Sequence, residues 1–310
     1  MKEAIIINEV GLRDGLQNQP VPISTADKLR LAEALMTAGV RYFEPVSYAH
    51  PKAVPQMADA STLAKQLPWR DDLHYTAMVP NMKGYERARE DGFGCVALLL
   101  STTDSFNQRN LNMSRDQAMQ SCVDIIARAR ADGVRTRAYV AGALACPYDG
   151  PVAPAETIAL AQHLFAAGAD EIGIADTIGG GHPLQLQQVL RPLIRDIGAD
   201  NLLVHLHDTR GLALAMAWTA CDLGIRRFDA AIGGLGGCPF APGATGNVAT
   251  EDLVHLFEQS GLDTGISLQA LREAAALAAS ITQTAAGGRI FQWADSQARR
   301  GVSLDLDTLP

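Results

Sequence analysis

His205 and His207 are separated by one residue, the most informative spacing in this 310-residue sequence. Residues i and i+2 of a β-strand point to the same face, so the two imidazoles would project together. Such a pair is a natural set of ligands for a divalent cation, which the carboxylate of Asp14 and an amide oxygen would complete. The alternative is a pair of hydrogen-bonded core histidines. Because this set holds no thiolate, the harder cations, Mg²⁺ or Mn²⁺, are favoured over Co²⁺ and Zn²⁺.

The segment around Asp14 follows an apolar run and also contains Glu9, Arg13 and Gln17. The planar guanidinium of Arg13 presents two donors in a fixed geometry, which suits a developing oxyanion better than lysine would. Asp14 could bind a metal and also touch a substrate hydroxyl. An adjacent Arg and Asp can also serve only to solvate a turn. Because Glu9 and Gln17 lie in the same segment, the catalytic interpretation is favoured.

A glycine-rich segment, GGLGGCPFAPGATGN over residues 233–247, carries Cys238. It contains neither of the glycine spacings that bind nucleotide phosphates. Dense glycine and proline instead indicate a mobile lid that brings Cys238 to a site. An isolated cysteine is more often an inert, buried apolar residue, but the small neighbours of Cys238 favour exposure. The remaining cysteines are expected to be structural: Cys95, Cys122, Cys146 and Cys221.

The elements that must position these side chains are short apolar runs that alternate with amphipathic segments. The candidate strands are Ala4–Glu9, Tyr42–Val46, His74–Val79, Val96–Leu100, Arg137–Ala141, Glu171–Ala175, Leu202–His207 and Arg227–Ile232. A first helix is predicted after residue 24, with Thr25 as its N-cap. Further helices are predicted near 84–91, 115–132, 154–167, 184–197, 211–223 and 249–259.

Strands that alternate with helices predict a parallel sheet, either open and doubly wound or closed. Eight strands and a repeat of about 30 residues favour an α/β fold of the (β/α)8 TIM-barrel type. We predict one domain over residues 1–310, with the barrel at about 4–260 and a C-terminal helical extension at about 261–310. That extension would be one helix, Leu268 to Ile281, and a polar tail. Catalytic groups of such barrels lie at the C-terminal ends of the strands, where Glu44, Ser47, Tyr139 and Asp176 also fall.

Composition and charge exclude several classes of protein. The chain is 47% hydrophobic with a formal net charge of −8 and no basic run, so neither nucleic acid nor a membrane surface is an expected partner. The first apolar run spans only four residues, Ala4 to Ile7, shorter than a secretory signal requires. Five scattered cysteines without a C-x-x-C pair indicate reduced thiols and a cytoplasmic protein.

Three motifs carry a family resemblance: NEVGLRDGLQNQ, HLHDTRGLALA and GGLGGCPFAPGATGNVATEDLV. With them the sequence resembles the 3-hydroxy-3-methylglutaryl-CoA lyases, metal-dependent TIM barrels related to Claisen-type synthases. VSYAHPKAVPQM, RAYVAGALACPYDG and IGIADTIG extend the match over about residues 5–275. The resemblance implies a carbon–carbon lyase that splits 3-hydroxy-3-methylglutaryl-CoA into acetoacetate and acetyl-CoA, as in leucine degradation and ketone-body formation. It also implies an acyl-CoA partner and a homo-oligomer, a dimer.

The resemblance assigns roles to individual positions. Asp14, His205, His207 and Asn247 would bind the cation, with Asp14 and His205 also counted as catalytic. Arg13 would stabilise the enolate oxygen, Glu44 would support Arg13 and the metal site, and Cys238 would act as acid–base group. Gln17 and Asp176 would line the substrate pocket, which Ser47 and Tyr139 join from their strand-end positions. Glu251 would order the segment after Asn247.

The rim departs from the family pattern, which usually has tyrosine where Arg210 stands. Pro20, Pro45 and the Ala141-Gly142 pair are further departures. A lyase for a different branched 3-hydroxyacyl-CoA is therefore the alternative. An acetyl-CoA-dependent synthase and a non-catalytic barrel are less favoured, because the first lacks the cysteine segment and the second needs no metal ligands.

Overall fold

Eight parallel strands close into a barrel in the computed structural model, which describes residues 3–237, 246–284 and 287–309. The barrel strands are β1 (Ile6–Glu9), β2 (Tyr42–Ser47), β3 (His74–Met78), β4 (Cys95–Ser101), β5 (Arg135–Ala141), β6 (Glu171–Asp176), β7 (Leu202–Leu206) and β8 (Arg227–Ala230). Each strand pairs with its sequence neighbours, and β1 pairs with both β2 and β8 to close the sheet. The predicted TIM barrel is confirmed.

Helices surround the barrel and cover the outer face of the sheet. In the described part of the chain they are α1 (Thr25–Thr37), α2 (Ala60–Ala64), α3 (Met82–Glu90), α4 (Asp104–Leu111), α5 (Arg115–Asp132), α6 (Pro154–Ala166), α7 (Pro183–Ile197), α8 (Ala213–Asp222), α9 (Thr250–Gln259), α10 (Leu268–Thr282) and α11 (Arg289–Arg299). A short antiparallel pair, Ala145–Cys146 with Gly150–Pro151, follows β5. None of the described helices is long and apolar enough to cross a membrane.

Two local predictions are wrong. The N-cap of α1 is Ser24, whose hydroxyl accepts from the backbone N–H of Asp27 at 3.1 Å, whereas Thr25 begins the helix and donates to Asp59. The predicted polar tail contains α11, which buries Ile290 and Phe291. Tertiary contacts stabilise this last helix, since the carboxylate of Asp252 accepts from the first backbone N–H groups of α11.

The apolar core lies between the sheet and the helices, and its inner layer lies inside the barrel. Leu31 and Leu35 of α1 are fully buried, as their spacing predicts. Inside the barrel, alternate strand residues form a small cluster that includes Tyr139, Ala175 and Leu203. This cluster lies beneath the C-terminal strand ends, where the polar residues of the candidate site converge.

Candidate active site

A single turn of π-helix over Gly11–Gly15 follows β1 and carries Arg13 and Asp14 across the mouth of the barrel. The carbonyl of Val10 accepts from the backbone N–H groups of Asp14 at 2.7 Å and of Gly15 at 3.2 Å. A Cβ atom on Gly11 would clash with Glu9 Oε1, which hydrogen bonds hold in place, so glycine is favoured at this position. Wide turns of this kind occur often at functional sites because they displace side chains from the helical register.

Buried Glu9 fixes the base of that turn. Its carboxylate accepts from the backbone N–H groups of Gly11 and Ile232 and from the hydroxyl of Thr250, at 2.8, 2.9 and 2.6 Å. Burial raises the pKa of Glu9 to about 7, and these three hydrogen bonds oppose the rise. Glu9 thereby joins the end of β1 to the segment after β8 and to α9.

Asp14, His205 and His207 each offer a ligand atom, and the three atoms lie within 4.8 Å of one another. His207 Nε2 lies 3.8 Å from Asp14 Oδ2. A β-bridge between His207 and Asn247 brings in the fourth expected residue, and Asn247 Nδ2 donates to Asp14 Oδ2 at 2.7 Å. The two imidazoles therefore lie together, as their one-residue spacing along a strand predicts. The carboxylate of Asp14 joins them from the turn after β1.

The donor set fits a divalent cation. Asn247 Oδ1 and Glu44 Oε2 are buried without a hydrogen-bond partner in the described part of the chain, so their lone pairs are free for a ligand. Burial and the charge of His205 lower the pKa of His207 to about 4, which keeps this imidazole neutral and able to ligate at neutral pH. Two nitrogens and several oxygens are ligand atoms that divalent cations accept in proteins.

Arg13 lies between two carboxylates. Its Nε atom donates to Glu44 Oε1 at 2.6 Å, and its Nη1 atom donates to Asp14 Oδ1 at 2.6 Å. Burial opposes ionisation of Asp14, but Arg13 and the two histidines outweigh it and hold the pKa of Asp14 well below its usual range. Burial dominates at Glu44 and raises its pKa despite Arg13. The guanidinium is thus fixed in direction, and Asp14 is held as an anion.

His205 has a carboxylate partner that sequence reasoning missed. Its Nδ1 atom lies 3.0 Å from Asp229 Oδ2, and both residues are buried. Burial lowers the pKa of His205, but Asp229 outweighs burial and the net shift is upward. The sequence held a sign of this role, because Asp229 is the one charged residue in the apolar run from Phe228 to Ile232.

The expected substrate-contacting residues occupy different depths. Asp176 ends β6 and its carboxylate accepts from the backbone N–H groups of Gly180 and Gly181 at 2.9 and 3.0 Å. Ser47 is buried at the end of β2, and Gln17 is half-buried on the rim. Tyr139 lies deeper, since its hydroxyl donates to Asp229 Oδ2 at 2.7 Å. The structure therefore brings Asp176 and Ser47 to the mouth and places Tyr139 below it.

Cys238 lies outside the described residues, as do positions 239–245. The described residues that precede Cys238 are held at two points: Asn18 Nδ2 donates to the carbonyl of Gly237 at 3.1 Å, and Gly233 N–H donates to Glu251 Oε2 at 3.0 Å. Glu251 also accepts from the backbone N–H of Gly288, so it ties the start of the glycine-rich segment to the C-terminal helices. Burial raises its pKa to about 7.

The other cysteines are not part of the cluster of Asp14, His205 and His207. Cys122, Cys146 and Cys221 are buried, and Cys95 is half-buried. Burial raises the pKa of Cys122 to about 12, which leaves a thiol of low reactivity. These positions agree with the structural role expected for them.

Comparison with known proteins gives consistent matches over most of the chain. The HMGL-like family model matches residues 4–278. A hydroxymethylglutaryl-CoA lyase of Bacillus subtilis is 40% identical over 271 residues, which are 87% of this chain and 91% of that protein. An (R)-citramalyl-CoA lyase of Chloroflexus aurantiacus is 40% identical over 279 residues, 87% of this chain and 88% of that protein.

Solved structures agree with the sequence matches. The crystal structure of hydroxymethylglutaryl-CoA lyase from Pseudomonas aeruginosa superposes with a TM-score of 0.91 and 37% sequence identity. The alignment covers 96% of this chain and 99% of that chain. The likeness therefore extends over nearly all of this chain.

Proposed function

The chain belongs to the HMGL-like family, and from that premise we propose that it is a metal-dependent carbon–carbon lyase that cleaves 3-hydroxy-3-methylglutaryl-CoA to acetoacetate and acetyl-CoA. The family resemblance found in the sequence is confirmed by the comparisons. One observation carries the proposal: Arg13, held by two carboxylates, lies beside the cluster of Asp14, His205 and His207. The Arg13 guanidinium and the proposed metal ligands therefore lie together at the mouth of the barrel.

Asp14, His205, His207 and Asn247 would hold the cation, for which we propose Mg²⁺ or Mn²⁺ on the chemistry of these donors. When bound, the cation supplies Lewis acidity that lowers the pKa of the substrate hydroxyl. The neutral His207 and the anionic Asp14 are both in the protonation states that ligation requires.

Cleavage breaks the bond between C2 and C3 of the acyl group. The hydroxyl on C3 loses its proton and becomes the ketone of acetoacetate, while the bonding electrons move to C2 and the thioester oxygen as an enolate. Glu44 and Asp176, whose pKa values burial raises, are better acceptors for that proton than Asp14. A proton delivered to C2 completes acetyl-CoA, and we assign that step to Cys238.

Arg13 suits the enolate oxygen. A guanidinium carries five N–H donors, of which three face Glu44 and Asp14. Among the described residues the other two have no protein partner, and we propose that they bind the substrate, in a direction that the carboxylates fix. Donors positioned in advance on a developing oxyanion give most of the rate enhancement in many enzymes.

The direct test is an assay of the purified protein, stripped of metal and then reconstituted with Mn²⁺ or Mg²⁺, against 3-hydroxy-3-methylglutaryl-CoA. We expect acetyl-CoA and acetoacetate in equal amounts, only with metal present. If the reconstituted protein releases neither product from any branched 3-hydroxyacyl-CoA, the lyase assignment is wrong.

A second candidate is a lyase for a different branched 3-hydroxyacyl-CoA. It is favoured by Arg210, which is exposed at the rim and directs its Nη1 atom to the Gly179 carbonyl at 3.5 Å. A relative equally similar in identity is named for (R)-citramalyl-CoA. A panel of acyl-CoAs that vary in the substituent on C3 separates the two candidates by kcat/KM.

We further propose a single domain and a cytoplasmic homodimer. One apolar core contains both Ile5 and Leu306, which supports one folding unit. The adjacent helices α7 and α8 expose Leu184 and Trp218, a candidate contact surface. Light scattering after size exclusion gives the oligomeric state, and a single cooperative unfolding transition would support one domain.

A further inference from the structure

Asp229 lies inside the barrel, within hydrogen-bond distance of polar side chains from three other strands. Its Oδ2 atom accepts from the Tyr139 hydroxyl at 2.7 Å and lies 3.0 Å from His205 Nδ1. Its Oδ1 atom accepts from Asn8 Nδ2 at 2.9 Å. Asp229 and His205 are also direct partners in the register of β8 and β7. The carboxylate therefore joins β1, β5, β7 and β8 next to the proposed metal ligands.

We propose that Asp229 is a positioning residue for the metal site, which fixes the orientation and tautomer of His205. An ionised carboxylate only accepts hydrogen bonds, so the Nδ1 atom of His205 must carry the proton. The Nε2 atom then keeps its lone pair, on the ring edge opposite Asp229. This inference rests on the metal site of the proposed function.

The hydrogen bond between His205 and Asp229 also changes how strongly His205 can bind a metal. A histidine that donates its second ring nitrogen to a carboxylate is a more basic ligand in a fixed orientation. His207 has no such support, since its Nδ1 atom is buried without a hydrogen-bond partner in the described ranges. The two imidazoles are therefore unequal, and Asp229 supports only His205.

Asp229 is itself rigidly placed. A buried carboxylate is stable only when hydrogen bonds replace its lost hydration, and Tyr139 and Asn8 supply one to each carboxylate oxygen. Asp229 is 2% exposed and Tyr139 is 4% exposed. The carboxylate is thus held through both of its oxygens, and its remaining acceptor capacity is directed to His205.

The Asp229→Asn variant changes charge with little change in shape. Asn8 Oδ1 has no partner in the described structure, so a flipped Asn8 amide can accept from the new amide N–H. We therefore expect this variant to fold. Its affinity for Mn²⁺, measured from the electron paramagnetic resonance signal of free Mn²⁺, should be about 10- to 100-fold lower than that of the wild type.

Two further variants separate positioning from general loss of a buried group. Tyr139→Phe removes a hydrogen bond to Asp229 but leaves the contact with His205, so Mn²⁺ affinity should stay within a few-fold of wild type. Glu171→Gln is the matched control: it is a buried carboxylate that accepts from Arg137 Nε at 2.7 Å, at the opposite end of the barrel. It should leave Mn²⁺ affinity unchanged, whatever it does to stability.

The tautomer of His205 is a second readout that does not depend on a variant. Nitrogen NMR of the metal-free wild type, recorded at a pH at which the ring is neutral, should show His205 protonated at Nδ1. A neutral ring protonated at Nε2, or wild-type Mn²⁺ affinity in folded Asp229→Asn, overturns the role of Asp229 alone. A wild-type protein that binds no Mn²⁺ overturns the proposed metal site, and this inference with it.

Discussion

Arg13 Nε donates to Glu44 Oε1 over 2.6 Å, in a pair whose side chains are 10% and 0% exposed. The same guanidinium reaches Asp14, one of the proposed metal ligands. A cation enclosed in this way has a fixed direction and little screening by solvent. The geometry thus couples the turn after β1, which carries Asp14, to β2.

Arg13→Lys keeps the charge but loses the planar fork of donors. We expect kcat to fall about 10²- to 10³-fold, as for the loss of one oxyanion contact, while the fold and the metal content stay intact. Steady-state kinetics with the reconstituted enzyme measures the effect. Arg227→Lys, at the opposite end of the barrel beside Glu171, is the control and should retain activity. A turnover of Arg13→Lys within a few-fold of wild type would make Arg13 only a loop residue.

His207→Ala removes one ligand of the proposed metal site. Loss of an outer-shell partner typically costs 10- to 100-fold in metal affinity, so loss of a ligand should cost at least about as much. Isothermal titration with Mn²⁺ gives the affinity and the stoichiometry. His255→Ala, a half-buried histidine on α9, should titrate like the wild type. Equal affinity in both variants would remove His207 from the ligand set.

Cys238→Ser tests the acid–base role inferred from the sequence. A hydroxyl is far harder to deprotonate than a thiol, so turnover should fall by several orders of magnitude with fold and metal retained. An alkylating reagent should modify Cys238 faster than Cys122, and bound acyl-CoA should slow that reaction. Peptide mapping by mass spectrometry measures both rates. Near-normal turnover of the serine variant, with slow alkylation of Cys238, would return the segment to a structural role.

Glu9 should make stability depend on pH near neutrality. Burial raises its pKa to about 7 in the folded protein from 4.5, so the native state binds more protons than the unfolded state between these values. Its contribution is fully present below about pH 4.5 and is lost as pH rises through 7, at about 1.4 kcal/mol per pH unit.

Glu9→Gln should remove that dependence. The glutamine oxygen can accept from both backbone N–H groups, and its amide can donate to the Thr250 hydroxyl. Urea unfolding of wild type and variant at several pH values between 5 and 8 gives the difference. Glu33→Gln on the exposed face of α1 is the control. Parallel stability curves for wild type and Glu9→Gln would show that Glu9 is ionised throughout this range.

Local sequence patterns were sufficient for the barrel and for part of the site. Alternation of apolar runs with amphipathic segments specified eight strands in order, because both periodicities are local properties of the chain. The one-residue spacing of His205 and His207 placed both imidazoles on one face for the same reason. Arg13 and Asp14 followed from their position directly after the first strand.

Other features depended on tertiary structure. Asp229 meets His205, and Glu9 meets Thr250 across 241 positions, only because barrel closure sets the register of β1, β7 and β8. The π-helical turn that aims Arg13 depends on Glu9, whose partners Ile232 and Thr250 lie after β8 and at the start of α9. Helix α11 forms where a polar tail was expected, because Asp252 caps it from α9. Such contacts join groups far apart in the chain, so local periodicity specifies the strands that carry them but not the pairs they form.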